Sequence, residues 1–346
     1  MAKKILWGSI ALAPVTIFVH YAFHPGGFTE FVLAAAALIP LAWLIGEATE
    51  QAAHHTGPGV GGFLNATFGN APELIIALFA VNEAKFEVVR GSLSGSVIGN
   101  LLLVLGFSLL FGGRGAIDRE SSFVSLGLIS FAVVMFLVPA VPGWEGDPER
   151  DLIAELSVPI SIVLLLVYIG ATWLSLRRHR RLHVSDRAAE IRAWDMWTAL
   201  LVLGLATIVT AFIAEILVGS IDVFAERANL SEFFVAAVIV AIVGNAAEHG
   251  GAIVVAARGQ IKLAAEIALA SSAQVAVFLI PAVALLSWLI DPLALSFRVV
   301  EVVALGAAVL FTSALLAQGQ SSRGRGVALI LAYVVVAAAF FVVGER

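Results

Sequence analysis

Long apolar runs alternate with short polar gaps along the whole chain. Because a helix needs about 20 apolar residues to cross ~30 Å of hydrocarbon, each run of that length predicts a membrane-spanning helix. Eleven such segments are predicted, at approximately 5–23, 31–51, 59–81, 88–111, 122–141, 152–176, 196–219, 232–257, 262–288, 296–317 and 326–343. The pattern therefore predicts an all-α integral membrane protein with eleven transmembrane helices.

Composition supports this class of protein. Of the 346 residues, 60% are hydrophobic and 13% are charged, whereas soluble domains contain about 25% charged residues. The first apolar run is too long for a signal peptide and has no small-residue cleavage site, so it is predicted to be a spanning helix. The chain has no cysteine, which excludes disulfides, thiolate chemistry and cysteine-ligated zinc.

The distribution of Lys and Arg predicts the orientation, because cytoplasmic loops carry the excess of basic residues. With the N-terminus inside, fourteen basic residues lie in cytoplasmic segments and six lie outside. The six are Lys85, Arg90, Arg150, Arg227, Arg298 and Arg346. The bias predicts a multi-pass protein of the cytoplasmic membrane, with its N-terminus cytoplasmic and its C-terminus outside.

A basic, polar stretch at 177–195 divides the chain near its middle. We interpret it as a cytoplasmic linker whose cations face anionic lipid headgroups. The predicted organisation is an N-terminal transmembrane helix within 1–29, a first five-helix unit at 30–176, this linker, and a second five-helix unit at 196–346.

Two copies of a short motif mark corresponding positions in the two units. GNAPELI begins at Gly69 and GNAAEHG begins at Gly244, so Gly, Asn, Ala and Glu recur 175 residues apart. A cluster of small and polar residues follows each copy, at 94–100 and at 271–274. Because five helices is an odd number, the second unit must enter the membrane from the opposite face. The sequence thus predicts two inverted repeats, an architecture typical of secondary transporters.

Glu73 and Glu248 lie near the centres of apolar segments, where an ionised carboxylate costs at least ~2.5 kcal/mol. No Lys or Arg lies within the apolar cores of these segments, so the expected partners are each other, a cation, a proton or local amides. Two carboxylates without basic partners favour a divalent cation, and hard cations such as Ca²⁺ bind about six to eight oxygens. Neighbouring side chains that supply neutral oxygens are Asn65, Thr67, Asn70, Asn100, Asn245, Ser271, Ser272 and Gln274.

Asn70 precedes Glu73 by three residues, and Asn245 precedes Glu248 by three, so amide and carboxylate share one helix face in each unit. The glycine before each Asn would let the helix loosen and turn carbonyl groups toward a cavity. Protons and a metal ion would compete for the same carboxylate oxygens. That competition is sufficient in principle for cation/proton exchange. For the small polar residues nearby, helix packing alone is the other interpretation.

Three further residues are candidates for a cation or proton pathway. Glu215 lies within an apolar run, Glu47 lies near the end of the second segment, and His249 directly follows Glu248. For the two glutamates the alternative is a solvated carboxylate at the membrane interface. For His249 the alternative is a hydrogen bond to a neighbouring helix.

Five stretches together are characteristic of one family. They are GEATEQ at 46–51, GPGVGGFLNATFGNAPELIIALFAV at 57–81, GSLSGSVIGNLLLVLG at 91–106, SEFFVAAVIVAIVGNAAEH at 231–249, and SSAQVAVFLIP at 271–281. On these stretches the chain resembles the calcium/proton exchanger (CAX) family of the cation/Ca²⁺ exchanger superfamily, over nearly its whole length. One departure is Pro72, where the first repeat of the family usually has Thr.

The resemblance implies an antiporter of Ca²⁺ against H⁺ in which one glutamate of each repeat coordinates the cation and carries protons. These glutamates correspond to Glu73 and Glu248. The polar positions that the resemblance adds around them are Asn70, Asn245, Ser96, Asn100, Ser272 and Gln274. The short N-terminus and the basic linker resemble prokaryotic members. The expected partners are Ca²⁺, H⁺ and the lipid bilayer, no nucleic acid is expected, and a homo-oligomer is compatible with the sequence.

Two other functions remain open from sequence. A Na⁺/Ca²⁺ exchanger would need additional monovalent sites, which the sequence does not locate. A cation channel would use the same carboxylates as a filter ring, and the inverted repeat argues against it. An intramembrane hydrolase would use the carboxylates as an acid/base pair, and the absence of a nucleophile, a metal-ligand motif or a second carboxylate on the same repeat face argues against it. No enzyme activity and no cofactor are expected.

Overall fold

A computed structural model describes residues 2–144, 150–182 and 194–344, which are almost entirely helical. The helices of the first part of the chain are α1 (Ala2–Ser9), α2 (Leu12–Phe23), α3 (Gly27–Phe68), α4 (Ala71–Asn82), α5 (Phe86–Ile98), α6 (Leu105–Gly112), α7 (Arg119–Ala140) and α8 (Arg150–Leu182). Those of the second part are α9 (Met196–Gly219), α10 (Ile221–Ala228), α11 (Glu232–Phe234), α12 (Ala241–Gly244), α13 (Ala246–Ala257), α14 (Ile261–Gln274), α15 (Ile280–Leu286), α16 (Val299–Leu316) and α17 (Arg323–Gly344).

Three π-helical stretches join helices into longer continuous segments. Gly99–Val104 joins α5 to α6, Val235–Val240 joins α11 to α12, and Val275–Leu279 joins α14 to α15. Such stretches are rare and frequently occur at functional sites, because they widen the helix and redirect side chains.

One small β-pair departs from the all-α prediction. β1 (Gly115–Ala116) pairs antiparallel with β2 (Gln320–Ser321), with Gly115 opposite Ser321. The pair connects the short link before α7 with the link before α17.

Within the described residues, nine helices are long and apolar enough to span a membrane. A tenth is counted if Ile221–Ala228 and Glu232–Gly244, which meet at a bend of 108°, form one broken span. The predicted count of eleven is not confirmed. The linker predicted at 177–195 lies largely outside the described residues, and its first six residues continue α8.

The boundary between the second and third predicted segments, 31–51 and 59–81, is wrong. The chain stays helical through the glycine-rich stretch at 57–59, and α3 ends only at Phe68. Helix resumes at Ala71, so the break lies at Gly69 and Asn70. Each glycine weakens a helix by only about 1 kcal/mol, whereas an unpaired backbone group in a membrane costs several, so the chain remains helical.

The core is a continuous set of buried side chains between the helices, and the outer surfaces of the spanning helices are apolar and exposed. The largest fully buried side chains include Phe31, Phe136, Phe233, Phe297 and Phe340. Helix α5 lies deepest, since every residue from Gly91 to Ile98 is buried. It packs backbone to backbone against Val235–Val240: a Cβ added at Gly95 would lie 2.0 Å from the carbonyl oxygen of Ala237. Small residues allow such close approach in membrane proteins.

Candidate functional site

Glu73 lies in the first turn of α4, just after the break at Gly69 and Asn70. Pro72 occupies the start of this helix, where its missing N–H removes no helical hydrogen bond. The Glu73 side chain is only 8% exposed and lies against Gly244, since a Cβ added there would be 3.3 Å from Glu73 Cγ. The carboxylate of the first unit therefore contacts the motif of the second.

Glu248 occupies the equivalent place in α13, in its first turn and directly after a break at Asn245. Its Oε2 accepts a hydrogen bond from the Ser271 hydroxyl of α14. Glu73 and Glu248 interact electrostatically. Both carboxylates lie at helix N-termini, where the helix dipole favours negative charge. The structure thus brings the two predicted glutamates together.

Two asparagines connect the units around this pair. Asn245 Nδ2 donates to Ser96 Oγ at 2.8 Å and to the carbonyl oxygen of Ala241 at 3.1 Å. Asn70 Nδ2 donates to Gln274 Oε1 at 3.5 Å. Each amide therefore reaches from the break in one unit to a helix of the other.

Two helices that end in π-helical stretches, α5 and α14, supply further contacts. Asn100 Nδ2 donates to Ser271 Oγ at 3.0 Å, and Ser271 in turn donates to Glu248. The Ser272 hydroxyl donates to the carbonyl oxygen of Val97 at 3.3 Å. The structure therefore gathers all the residues predicted as cation ligands: Glu73, Glu248, Asn70, Asn245, Asn100, Ser96, Ser272 and Gln274.

The site contains oxygens with the chemistry that a hard cation needs. In the part of the chain that the structure describes, Glu73 Oε2 and Asn245 Oδ1 are buried and have no hydrogen-bond partner. Buried polar atoms are normally paired, so unpaired ones require an explanation. No group of three or more His, Asp or Glu side chains suited to a metal occurs among the described residues. A cation here would be held by two carboxylates and neutral oxygens.

A small cavity beside Glu73 is lined by both polar and apolar side chains. Its lining includes Ser92 and Ser96 of α5, together with Ile76, Val240 and Ala241. Both serines point from one face of α5 toward the Glu73 side of the site. The cavity places hydroxyl oxygens next to the carboxylate.

The predicted pathway residues lie in three different environments. His249 is buried, and its Nε2 has no hydrogen-bond partner among the described residues. Glu47 of α3 is partly buried and accepts a hydrogen bond from Gln51 Nε2 at 3.3 Å. Glu215 is exposed on α9, so it is not one of the buried residues around the glutamate pair.

Sequence reasoning missed a third buried carboxylate, Glu301 in the first turn of α16. Its position near the start of an apolar segment resembles an ordinary acidic residue at a helix N-terminus. No sequence signal separates these two possibilities, because burial of that first turn depends on contacts with α5.

The fold and these contacts define the class: a multi-pass α-helical membrane protein with two carboxylates buried between its halves, an arrangement typical of ion transporters. A family model described as sodium/calcium exchanger protein matches residues 27–177 and 198–342. The chain belongs to this family.

Three similar proteins narrow the comparison. The "Ca(2+)/H(+) antiporter ChaA" of Bacillus subtilis is 39% identical over 322 residues, which cover 90% of this chain and 91% of that protein. The "Ca(2+)/H(+) antiporter" of Synechocystis sp. is 35% identical over 367 residues, covering 98% and 97%. The solved structure of native YfkE superposes with a TM-score of 0.84 at 36% identity, covering 98% of this chain and 99% of that one. The resemblance predicted from the motifs is confirmed.

Proposed function

We propose that this protein is a secondary active Ca²⁺/H⁺ antiporter in which Ca²⁺ and protons compete for Glu73 and Glu248. The observation that carries the proposal is the proximity of these two carboxylates, one from each half of the chain, to each other and to the neutral oxygens of Ser96, Asn245 and Ser271. None of the ion pairs among the described residues involves either glutamate. The names of the relatives in Bacillus subtilis and Synechocystis agree with this activity.

The charges of the site suit an exchange of one ion type for the other. Two carboxylates carry two negative charges, which one Ca²⁺ or two protons neutralise. Ca²⁺ takes six to eight oxygens, and the carboxylates, Asn245 Oδ1 and the hydroxyls of Ser96 and Ser271 supply several of them. Because both ions occupy the same oxygens, binding of one drives release of the other.

Helix boundaries support two inverted repeats that alternate in access. Helices α4 and α13 have 12 residues each and begin 175 residues apart, at Ala71 and Ala246. The next helices, α5 and α14, begin at Phe86 and Ile261, again 175 residues apart. This periodicity of structure extends the repeat of the GN motif. Rocking of one repeat against the other would expose the pair to each side in turn.

The basic residues support an orientation with the N-terminus in the cytoplasm and the C-terminus outside. In that orientation the link between α4 and α5 faces outward, with Lys85 next to Asp222. The protein would extrude cytosolic Ca²⁺ using inward movement of protons.

One rival has a specific observation in its favour: the matching family model is described as sodium/calcium exchanger protein. Na⁺ would then take the place of H⁺ as the counter-ion. A channel is disfavoured by the inverted repeat, which is typical of secondary transporters.

The test uses inverted membrane vesicles that contain the protein, with uptake of ⁴⁵Ca²⁺ followed under an imposed pH gradient. Saturable uptake that collapses with a protonophore is expected, and Glu73→Gln or Glu248→Gln should abolish it. The control is Thr312→Val, since Thr312 is buried in α16 and its hydroxyl has no partner among the described residues. Uptake that requires a Na⁺ gradient and ignores the pH gradient would establish the rival. Uptake that does not saturate and needs neither a pH gradient nor a Na⁺ gradient would establish a channel.

A further inference from the structure

Glu301 is fully buried and both of its oxygens are engaged. Its Oε1 accepts a hydrogen bond from the Ser94 hydroxyl at 2.9 Å, and its Oε2 accepts one from the backbone N–H of Arg298 at 2.8 Å. Arg90 interacts electrostatically with the same carboxylate. A buried carboxylate is tolerated when it is paired and hydrogen-bonded. Because its oxygens are already used, Glu301 is suited to holding a neighbour in place.

The neighbour that it holds is α5. A helix turns about 100° per residue, so Ser94 lies on the side opposite Ser92 and Ser96. Ser96 reaches Asn245 in the ion site. Ser94 faces α16 and Glu301. Helix α5 therefore has a front face toward the ion site and a rear face toward α16.

The rear face carries two more links to the chain around the start of α16. Arg90 Nη1 donates to Ser296 Oγ at 2.9 Å. The guanidinium of Arg298 donates to Glu87, which is partly exposed. Glu87, Arg90 and Ser94 are spaced three and four residues apart, so they form one stripe along α5. The link to Glu301 is the deepest of the three and the nearest to Ser96 along the helix.

We propose that Glu301 is a positioning residue for the ion site: it fixes the rear face of α5, so that Ser96 and Asn100 stay aligned with Asn245 and Ser271. This inference rests on the proposed function of that site. Alignment matters because α5 becomes π-helical at Gly99, immediately before Asn100. π-Helical stretches frequently lie at functional sites, and the position of this one is set by the part of α5 that precedes it. Without the Glu301 link, Asn100 and Ser96 lose their register with the second half.

The decisive variant is Glu301→Gln, which keeps the size of the side chain and removes its charge and one acceptor. In the vesicle assay the Ca²⁺ concentration for half-maximal uptake should rise about tenfold, the ratio that ~1.4 kcal/mol produces. The maximal rate per folded molecule should change less than twofold. The matched control on the same helix is Thr312→Val, which should leave both quantities unchanged.

A second variant, Ser94→Ala, tests the link from the side of α5 and keeps the inference testable if Glu301→Gln folds poorly. It should raise the half-maximal Ca²⁺ concentration severalfold, and the double variant should be no worse than Glu301→Gln alone. Binding is measured independently as the rise in melting temperature that Ca²⁺ produces in detergent. Both variants should need more Ca²⁺ than the wild type for the same rise.

Unchanged half-maximal Ca²⁺ concentrations, with only the yield of folded protein reduced, would show that Glu301 stabilises the bundle without positioning the site, and would overturn the inference. Additive effects of Ser94→Ala and Glu301→Gln would also overturn it. Failure of the proposed function is distinct, because the wild type itself would then show no proton-driven Ca²⁺ uptake.

Discussion

The amide of Asn245 donates a hydrogen bond to the hydroxyl of Ser96 at 2.8 Å, which joins the helix break of the second half to α5 of the first. The same amide nitrogen also donates to the carbonyl oxygen of Ala241, its own helical neighbour. With its nitrogen engaged twice, Asn245 leaves its Oδ1 facing the site without a partner among the described residues. Ser96 therefore orients an oxygen that we assign to the cation.

This relationship predicts coupled effects of Ser96→Ala and Asn245→Ala. Ser96→Ala should raise the half-maximal Ca²⁺ concentration about fivefold, because it removes one hydrogen bond of ~1 kcal/mol. Asn245→Ala should raise it further, because it removes two hydrogen bonds and the Oδ1 atom assigned to the cation. The double variant should resemble Asn245→Ala, since the two changes break the same contact. The half-maximal Ca²⁺ concentration of all three variants is measured by Ca²⁺ uptake into inverted vesicles. Strictly additive effects would show that Ser96 does not act through Asn245.

A methyl group added at Gly244 should displace the side chain of Glu73. The Cβ of Gly244→Ala would lie 3.3 Å from Glu73 Cγ and 3.7 Å from its Oε1, so the carboxylate must shift. We expect a severalfold rise in the half-maximal Ca²⁺ concentration. The control is Gly251→Ala, two turns along the same region, where a Cβ meets nothing within 4 Å. Equal behaviour of the two variants would contradict the contact between Glu73 and Gly244.

Gly95→Ala should prevent α5 from packing against the π-helical stretch Val235–Val240 of the second half. Its Cβ would lie 2.0 Å from the carbonyl oxygen of Ala237, and backbone cannot yield as a flexible side chain does. Overpacking typically costs 1–3 kcal/mol or more, so the yield of monodisperse protein in detergent should fall strongly. Gly127→Ala, on an open face of α7, should keep the wild-type yield. Size-exclusion chromatography of both variants checks this, and a normal elution profile for Gly95→Ala would refute it.

Asp118 should stabilise α7 mainly as its N-cap. Its carboxylate accepts from the Ser121 N–H at 3.1 Å and pairs with Lys262 at 2.9 Å. The hydrogen bond and charge of Lys262 lower the pKa of Asp118 below 3.8. Because the folded pKa is the lower one, the contribution of the charged form is present at neutral pH. It is lost only as the pH falls through that lowered pKa.

The measurement is the melting temperature in detergent. Asp118→Ala should lower it, since losing an N-cap costs about 1 kcal/mol. Asp118→Asn should lower it less, because Asn also caps helices while the exposed ion pair contributes little. Equal losses for Asn and Ala would show that the ion pair with Lys262, which both variants remove, is the main contribution.

Hydropathy was enough to place most of the helices. The predicted segment 196–219 corresponds to α9. The predicted segments 88–111 and 122–141 differ from Phe86–Gly112 and Arg119–Ala140 by one to three residues at each end. The cost of exposing backbone to hydrocarbon makes long apolar runs helical whatever their neighbours are. Glycine-rich stretches were less reliable signals of a helix end inside such runs, since α3 continues without interruption through residues 57–59.

The sequence by itself determined the membrane class, the position of two carboxylates within apolar segments, and the repeat that relates them, because hydropathy and spacing are properties of the chain alone. Only the tertiary structure decided that Ser271 donates to Glu248, that Gly244 adjoins Glu73, and that Glu301 is buried behind α5. These contacts join residues from 23 to 207 positions apart. At such separations, helix packing determines which side chains meet, and no local pattern records it.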